Sequence, residues 1–307
     1  MPAMRLSIIL PTFNRVAALR CALRALLLQT APPDAYEVIV VDNNCSDGTA
    51  EFLESMVDTR VRCLRESRQG VSHARNTAIA AARGDILAFT DDDVETAPDW
   101  VATIIDALDL RPDVDGVGGR VLPAWAARRP AWLTRAHWGP LALQDHGDEP
   151  RTFDRASPIG LIGANLALRA AVLHRVGEFS LDVQRVRDGI GSTEDHDLLH
   201  RVYGSGGCML YLPGMLVIAR VQSDRCARAY HRRWHDGHGR FYALMRLPEM
   251  ERTRTTVAGV PAHLLRAAAS DAAAWLGSML SGRWDDAFRA ELRLRFFAGF
   301  ARTRFGK

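Results

Sequence analysis

The chain has 307 residues, which is long enough for one large domain or two small ones with a sizeable core. Its 39 Lys and Arg nearly balance its 36 Asp and Glu, and a formal charge of only +3 argues against a protein that coats nucleic acid. Lys307 is the single lysine, so the sequence excludes a Walker A phosphate loop and catalysis through an internal Schiff-base lysine.

The first 120 residues alternate short apolar runs with helical patterns. Strands are predicted over residues 6–10, 37–41, 61–64 and 85–89. Helices are predicted over residues 15–29, from near residue 47, over 71–83 and over 98–108. Apolar strands separated by helices indicate a parallel sheet that is covered on both faces. Because such sheets bind ligands at the carboxyl ends of their strands, the residues after the first, second and fourth strands should share one rim.

The alternation stops in the second half of the chain. Residues 123–158 carry three tryptophans among prolines, arginines and histidines, and we interpret them as a long connection or lid. Regular patterns return over residues 160–169 and in a helix near 194–203. Residues 225–307 have mainly helical patterns and contain 16 Arg and Lys against 7 Asp and Glu. This last segment is therefore predicted to be a basic helical extension.

Five cysteines are scattered along the chain without paired spacing, so neither a zinc knuckle nor a disulfide framework is indicated. The apolar run over residues 6–10 is too short for the core of a signal peptide. No run reaches the roughly 18 uninterrupted apolar residues that a membrane-spanning helix needs. We therefore expect a cytoplasmic protein with reduced thiols.

Three consecutive carboxylates, Asp91, Asp92 and Asp93, follow the fourth predicted strand. Carboxylates this close repel one another unless a cation or hydrogen-bond donors lie among them. Strand alternation would place Asp91 and Asp93 on one side and Asp92 on the other. Such a DxD pair of oxygen ligands suits a hard divalent ion that also binds phosphate oxygens. A solvated acidic turn that caps the next helix is the alternative, and we favour the metal site.

Polar residues also follow the first two predicted strands. The first strand ends in residues 11–15 (PTFNR), which offer backbone donors, an amide and a guanidinium group. The second ends in residues 42–44 (DNN), whose planar side chains are able to read the edge of a base or a ribose. Turns and helix caps explain each segment equally well when it is taken alone. Three polar strand ends on one rim favour a nucleotide site.

Residues 192–197 (STEDHD) open the later helix with three carboxylates in four positions. The helix dipole accounts for one or two acidic residues in a first turn, so one of the three is a candidate general base. His231 and His235 lie four residues apart in a helical stretch. An HxxxH pattern without the intervening glutamate of a metalloprotease favours ordinary packing. Either imidazole remains a candidate ligand for the ion held by Asp93.

Five segments together resemble the inverting family 2 glycosyltransferases of the GT-A fold. They are SIILPTFNR at 7–15, VIVVDNNCSDGT at 38–49, GVSHARNTAIAAARGDILAFTDDDV at 70–94, GANLALRAAVLHRVGEFS at 163–180 and EDHDLLHR at 194–201. The resemblance implies an α/β fold with a Rossmann-like, mostly parallel sheet, flanking helices and a C-terminal helical extension. It implies a GT-A domain over 1–224, with a nucleotide-sugar half (1–120) and an acceptor-side half (121–224), before the helical segment 225–307.

The resemblance also implies roles for individual residues. Asp195, in the family's Glu-Asp pair, would be the catalytic base, and Asp93 would hold Mg²⁺ or Mn²⁺. Asp91 and, on its spacing alone, His231 are further candidate metal ligands. The donor nucleotide would be bound by Pro11, Thr12, Asn14, Arg15, Asp42, Asn43, Arg75, Asp91 and Asp92. The acceptor side would be bordered by Gly163, Ala164, Asn165 and Glu194.

The expected reaction is the transfer of one sugar from a nucleotide-diphospho-sugar to an acceptor hydroxyl in the synthesis of a polysaccharide, a lipid-linked glycan or another envelope glycan. Many family members carry a second aspartate where this chain has Asn43, and an amide donates as well as accepts, so a UDP-sugar is a preference only. Gln222 and Arg225 match part of the Gln-x-x-Arg-Trp signature of processive members, but Cys226 follows. Transfer of a single sugar is therefore favoured over polymerisation.

Two other functions and two roles for the C-terminal segment stay open. A sugar-phosphate nucleotidyltransferase would carry a glycine-rich loop after the first strand, and this chain has PTFNR there. Intact Asp93 and Asp195 argue against a non-catalytic scaffold that only binds nucleotide sugars. In residues 225–307, aromatic and aliphatic side chains among arginines fit peripheral contact with an anionic membrane, where lipid-linked acceptors reside. A helical lid folded onto the catalytic domain fits the same pattern equally well.

Overall fold

The computed structural model describes residues 4–186, 189–251 and 255–306. The chain forms two compact units. Unit 1 comprises Met1–Ala126, Ala142–Leu181 and Glu194–Val221, and unit 2 comprises Ala127–Leu141, Asp182–Thr193 and Gln222–Lys307. Of the predicted helical segment 225–307, residues 252–254 and 307 lie outside the described residues. The domain boundary expected at residue 224 stays a prediction.

Unit 1 is built on one mixed sheet. Its strands are β1 Leu6–Thr12, β2 Tyr36–Asp42, β3 Val61–Arg65, β4 Ile86–Phe89, β5 Val94–Thr96, β6 Gly116–Trp125, β7 Arg151–Phe153, β8 Leu166–Arg169 and β9 Met209–Val221. They run in the order β3-β2-β1-β4-β8-β6-β9-β5, and β7 pairs with β9. The four strands predicted in the first 120 residues are present and parallel, whereas β8 is antiparallel to both β4 and β6.

Helices accompany this sheet at the predicted places, except for the fifth, which the sequence patterns missed. They are α1 Val16–Leu27, α2 Thr49–Glu54, α3 Val71–Ala81, α4 Trp100–Leu110, α5 Ala170–Val176 and α6 Glu194–Gly204. In α1 the buried residues Leu19, Leu23 and Leu26 recur at helical spacing, which is why the segment folds as an amphipathic helix. Every residue of β1, β2 and β4 is buried, as expected for parallel strands with both faces covered.

The connection predicted over residues 123–158 contains regular structure. β6 extends into it as far as Trp125, two short 3₁₀ turns follow at Arg135–His137 and Gly139–Leu141, and β7 pairs with β9 near its end. The run predicted over residues 160–169 divides into a 3₁₀ turn, Gly163–Asn165, and strand β8. Local periodicity missed β7 because a strand of three residues is too short to show alternation.

The carboxyl ends of β1, β2 and β4 lie at the same edge of the sheet, although β4 ends earlier than the other two. Thr12 at the end of β1 lies opposite Asp42 at the end of β2, and Ile9 lies opposite Phe89, the last residue of β4. Beyond β4, the Thr90 amide still donates to the Ile9 carbonyl over 3.2 Å. The predicted shared rim is therefore confirmed as a feature of the fold.

Unit 2 is mainly helical, which confirms the C-terminal helices that were predicted. Its elements are α7 Arg228–Met245, β10 Thr256–Val257, β11 Val260–Pro261, α8 Ala262–Leu280 and α9 Trp284–Phe305. Helices α7 and α9 touch backbone to backbone, because a Cβ atom on Gly239 would overlap the Phe296 carbonyl and one on Gly299 would overlap that of Asp236. Within the described ranges, no helix is long and apolar enough to cross a membrane.

Candidate active site

Asp92 is the buried centre of the polar rim in unit 1, with 4% of its surface exposed. The Thr12 hydroxyl donates to its Oδ2 over 2.7 Å, and Nη1 of Arg15 donates to its Oδ1 over 3.1 Å. The same Nη1 also reaches Oδ2 of Asp93 over 2.9 Å. These bonds connect the end of β1 to the segment after β4. Because Arg15 contacts both Asp92 and Asp93, this one arginine neutralises part of the charge of two carboxylates.

Burial, together with the neighbouring carboxylates of Asp93 and Asp91, raises the pKa of the Asp92 carboxyl to about 6, although Arg15 and Thr12 act to lower it. The site therefore holds more negative charge than its bound arginine offsets.

Asp92 is buried while Asp91 and Asp93 are partly exposed, as the expected alternation would place them, although the two outer aspartates contact different arginines. Asp91 contacts Nη2 of Arg75 over 3.3 Å, whereas Asp92 and Asp93 share Arg15. Because β4 ends at Phe89, the three aspartates lie in the turn that follows it. Asp91 and Asp93 are thus held by different arginines.

Arg75 links the aspartate turn to the start of α6. Its guanidinium, 3% exposed, lies 2.7 Å from Oδ1 of Asp195, 3.5 Å from Oε1 of Glu194 and 3.3 Å from Oδ1 of Asp91. Burial alone would lower the pKa of Arg75, but these three carboxylates raise it overall, so the group is a permanent cation. Residues from α3, the aspartate turn and α6 therefore meet at one buried charge.

Asp195 is bound on both of its oxygens. Arg75 donates to Oδ1, and the backbone amide of Gly163 donates to Oδ2 over 2.8 Å. A Cβ atom on Gly163 would overlap the Asp195 carboxyl, so the 3₁₀ turn approaches α6 this closely only with glycine. The predicted base is therefore fixed in orientation by a charge and by a backbone donor.

Other predicted site residues shape the turns around the rim. Asn43 is buried, and its amide donates to the carbonyls of Glu66 and Arg68 and accepts from the Gly70 amide. Oδ1 of Asp42 accepts from the Cys45 amide, which closes the turn after β2. Asp42 and Asn43, which were expected to form hydrogen bonds with a base, thus bond to the protein backbone here. Their roles in nucleotide binding stay predictions.

The loops after β1 and β2 are tied to each other. Oδ1 of Asn14 accepts from the Ser46 amide over 2.7 Å, and Oδ2 of Asp47 accepts from the Val16 amide over 2.9 Å. Asp47 thus caps the start of α1 across the loop, and its other oxygen accepts from the Thr49 hydroxyl at the start of α2. Pro11, at the end of β1, is buried.

The residues predicted to border the acceptor differ in their burial and in their hydrogen-bond partners. Asn165 has no exposed surface, accepts from the Trp100 indole and donates to the carbonyls of Arg120 and Met215. Ala164 is buried beside it, and Glu194 contacts Arg75. Asn165 therefore joins strands β6 and β9, and its acceptor role stays a prediction.

His231 belongs to unit 2 and has no exposed surface. Its ring centroid lies 5.0 Å from that of Trp132 and 6.1 Å from that of His137, in edge-on geometry. Burial, helped by His137 and His235, lowers the pKa of its imidazole to about 4. The structure therefore places a neutral His231 in an aromatic cluster, and its metal-ligand role stays a prediction.

Sequence reasoning missed Phe179. The Arg75 guanidinium lies 4.9 Å above its ring, and the Asn76 side chain exchanges hydrogen bonds with the Phe179 backbone in both directions. These residues lie 103 positions apart, so no local pattern in one sequence joins them. Asn76 thus holds the Phe179 backbone, and the Phe179 ring supports Arg75.

Within the described ranges, no three His, Cys, Asp or Glu side chains are arranged to hold a metal ion. The chemistry of the site nevertheless fits a divalent cation. In the contacts above, five carboxylates meet two guanidinium groups, and Asp91 and Asp93 are hard oxygen donors with side chains 29% and 21% exposed. A cation at these two residues would offset the remaining negative charge.

Residues 7–173 match the family model described as Glycosyl transferase family 2. The glucosyl-dolichyl phosphate glucuronosyltransferase of Haloferax volcanii is 26% identical over 208 residues, which are 66% of this chain and 65% of that protein. The match thus spans less than two thirds of that relative.

Solved structures share the fold. The mannosyltransferase PcManGT from Pyrobaculum calidifontis, in complex with GDP-Man and Mn²⁺, has a TM-score of 0.64 at 21% identity and covers 99% of this chain and 88% of its own. The S. aureus protein TarS in complex with UDP-GlcNAc has a TM-score of 0.57 at 15% identity, with coverages of 99% and 93%. The predicted GT-A fold is confirmed.

Proposed function

Because the chain belongs to glycosyl transferase family 2, we propose that it transfers one sugar from a nucleoside diphosphate sugar to an acceptor hydroxyl, with inversion at the anomeric carbon. The observation that carries the proposal is the convergence of the aspartate turn, Arg15, Arg75 and the Asp195 carboxylate at one rim of unit 1. It supplies cations for a diphosphate and a fixed base within a single connected network.

Asp195 is proposed as the general base. As the acceptor oxygen bonds to the anomeric carbon, Asp195 takes the hydroxyl proton, and the bond from that carbon to the diphosphate oxygen breaks. The nucleoside diphosphate leaves with the electron pair. Arg75 and the Gly163 amide keep the carboxylate in one orientation throughout, which is the positioning that such a base needs.

Asp91 and Asp93 are proposed to hold Mg²⁺ or Mn²⁺. When bound, such an ion supplies positive charge opposite the departing diphosphate. Thr12 and Arg15 keep Asp92 in place beneath these two residues, so the aspartate turn stays ordered. The Mn²⁺ in the complex of PcManGT supports this part of the proposal.

The donor is proposed to be a UDP-sugar, although the neighbouring structures bind donors with different bases, GDP-Man and UDP-GlcNAc. The acceptor is proposed to be a glycan or a lipid-linked glycan, a choice supported by the name of the Haloferax relative. Peripheral contact of the C-terminal helices with a membrane is part of this proposal. Trp275, Leu276, Met279, Leu280 and Trp284 are exposed there.

The proposal is tested by incubating the full chain with several UDP- and GDP-sugars, with and without Mn²⁺, and detecting release of the nucleoside diphosphate. We expect release with one donor, dependent on the cation, and loss of release in Asp195→Asn. Formation of a nucleotide sugar from a nucleoside triphosphate and a sugar phosphate would instead identify a nucleotidyltransferase. Donor binding without any release, across acceptors, would identify a scaffold.

A further inference from the structure

Unit 2 contains a cavity of about 390 Å³ enclosed by α7, α8 and α9. This volume lies in the range of small-molecule sites. The wall is mainly apolar and is formed by Trp234, Leu264, Ala268, Phe296, Phe297 and Phe300. Taking a water-sized group as about 30 Å³, the cavity has room for on the order of a dozen methylene-sized groups. It therefore suits a hydrocarbon more than a sugar or a nucleotide.

The charged residues of the wall neutralise each other. Asp271 and Arg293 form an ion pair of 2.6 Å, and their side chains are 21% and 54% exposed, so the pair lies at the solvent end of the cavity. Burial lowers the pKa of His235 in the wall to about 4, which leaves its ring uncharged at neutral pH. The interior is therefore apolar and the mouth is polar.

The face of α8 that lines the cavity continues beyond it and is apolar apart from Asp271. Leu264, Ala268 and Asp271 line the cavity at helical spacing, and the same spacing reaches Trp275 and Met279 in the last turns of the helix. Both of these side chains are more than one third exposed. A compact ligand in the cavity would not contact the exposed stripe formed by Trp275 and Met279, whereas a long chain would lie along it.

We propose that this cavity binds the hydrocarbon chain of a prenyl phosphate, the lipid part of a lipid-linked acceptor. The assignment rests on the proposed function for the class of acceptor. The methyl branches of a prenyl chain would pack against the aromatic rings, and its end would follow the stripe along α8. The excess of basic over acidic residues in residues 225–307, 16 against 7, is complementary to the phosphate.

The test measures binding of farnesyl phosphate to the full chain by calorimetry. Ala268→Phe fills the cavity and should weaken binding by about tenfold or more, because a bulky ring would occupy the space of the ligand. Ala273→Phe, on an exposed part of α8 outside the cavity wall, is the matched control and should change binding by less than about twofold. Ala267 lines the cavity and is itself exposed, so Ala267→Leu is a second obstruction that folding tolerates more readily.

Equal affinity of the wild type, Ala268→Phe and Ala267→Leu would overturn the site. Equal or tighter binding of dodecyl phosphate would overturn the prenyl assignment in favour of an unbranched alkyl chain. Binding of the nucleotide sugar is measured in parallel on the same proteins. If the wild type binds the nucleotide sugar but not farnesyl phosphate, this inference is refuted and the proposed transfer is unaffected. If the wild type does not bind a nucleotide sugar at all, the result counts against the proposed transfer.

Discussion

The two units differ in the polar groups that they bury near their cavities and rims. In unit 1 the buried Asp92 and Arg75 stay in networks of opposite charges, where each carboxylate shares an arginine with another. In unit 2 the buried His231 and the half-buried His235 pack with aromatic rings and are uncharged at neutral pH, and the buried Arg304 pairs with Glu251. Since an interior charge is retained only where partners compensate it, the proposed transfer depends on the paired charges of unit 1, whereas the proposed lipid site depends on the apolar wall of unit 2.

The largest test of this contrast removes the central cation of unit 1. Arg75→Ala leaves three carboxylates without their common partner, and we expect a loss of about 3–5 kcal/mol in the free energy of unfolding, as for other broken buried pairs. Arg289→Ala in unit 2 breaks an exposed pair with Asp286 and should cost less than about 1 kcal/mol. Chemical denaturation of both variants measures the difference, and similar losses would remove the contrast.

Asp195→Asn tests the base in the same network. The amide keeps the size of the side chain but is unable to take a proton, so turnover should fall by about 10²-fold or more while donor binding is retained. Asp197→Asn is the control, because Asp197 lies two residues further along α6 and forms an ion pair with Arg201. Steady-state kinetics and donor calorimetry give both quantities. Near-normal turnover in Asp195→Asn would exclude Asp195 as the base.

Gly163→Ala displaces the same carboxylate without changing its chemistry. The added methyl group overlaps the Asp195 carboxyl, and a shift of a base by a fraction of an ångström should lower turnover by about tenfold. Gly214→Ala in β9, where a Cβ atom meets no neighbour within 4 Å, is the control. If both variants retained wild-type turnover, the close approach of the 3₁₀ turn would have no role in positioning Asp195.

The smallest expected effect concerns unit 2 and acid. The folded state binds a proton at His231 only near pH 4, whereas the unfolded state binds one near pH 6.5, so stability should fall as the pH drops from 6.5 to 4. His231→Phe should reduce this acid dependence by on the order of a few degrees in Tm. His174→Phe, at an exposed position in unit 1, should leave it unchanged. Thermal melts at pH 7 and pH 5 compare the three proteins.

The parts of the fold that the sequence predicted are those with local causes. Strands β1, β2 and β4 are continuous apolar runs, and their shared rim follows from parallel pairing. The parts that it missed depend on distant partners. Asp47 caps α1 across a loop, Asn43 secures the loop before α3, and Phe179 supports Arg75.

Local sequence patterns were equally unable to predict which segments of the chain fold into unit 2. Two stretches from the middle of the chain, Ala127–Leu141 and Asp182–Thr193, fold with its C-terminal helices. The tryptophan-bearing connection was therefore visible in the sequence, but its packing partners, such as His231 against Trp132, were not. Packing between segments that are far apart in the sequence leaves no periodic signal.

The glycine contact between α7 and α9 has a consequence for ligand size. Gly239 touches the backbone of Phe296 and Phe300, and both of their rings form part of the cavity wall. The width of the cavity thus depends on how closely the backbones of α7 and α9 approach each other. A methyl group added at Gly239 would widen the cavity without changing any residue of its wall. The chain length accepted by the proposed lipid site would then depend on Gly239, a residue outside the cavity wall.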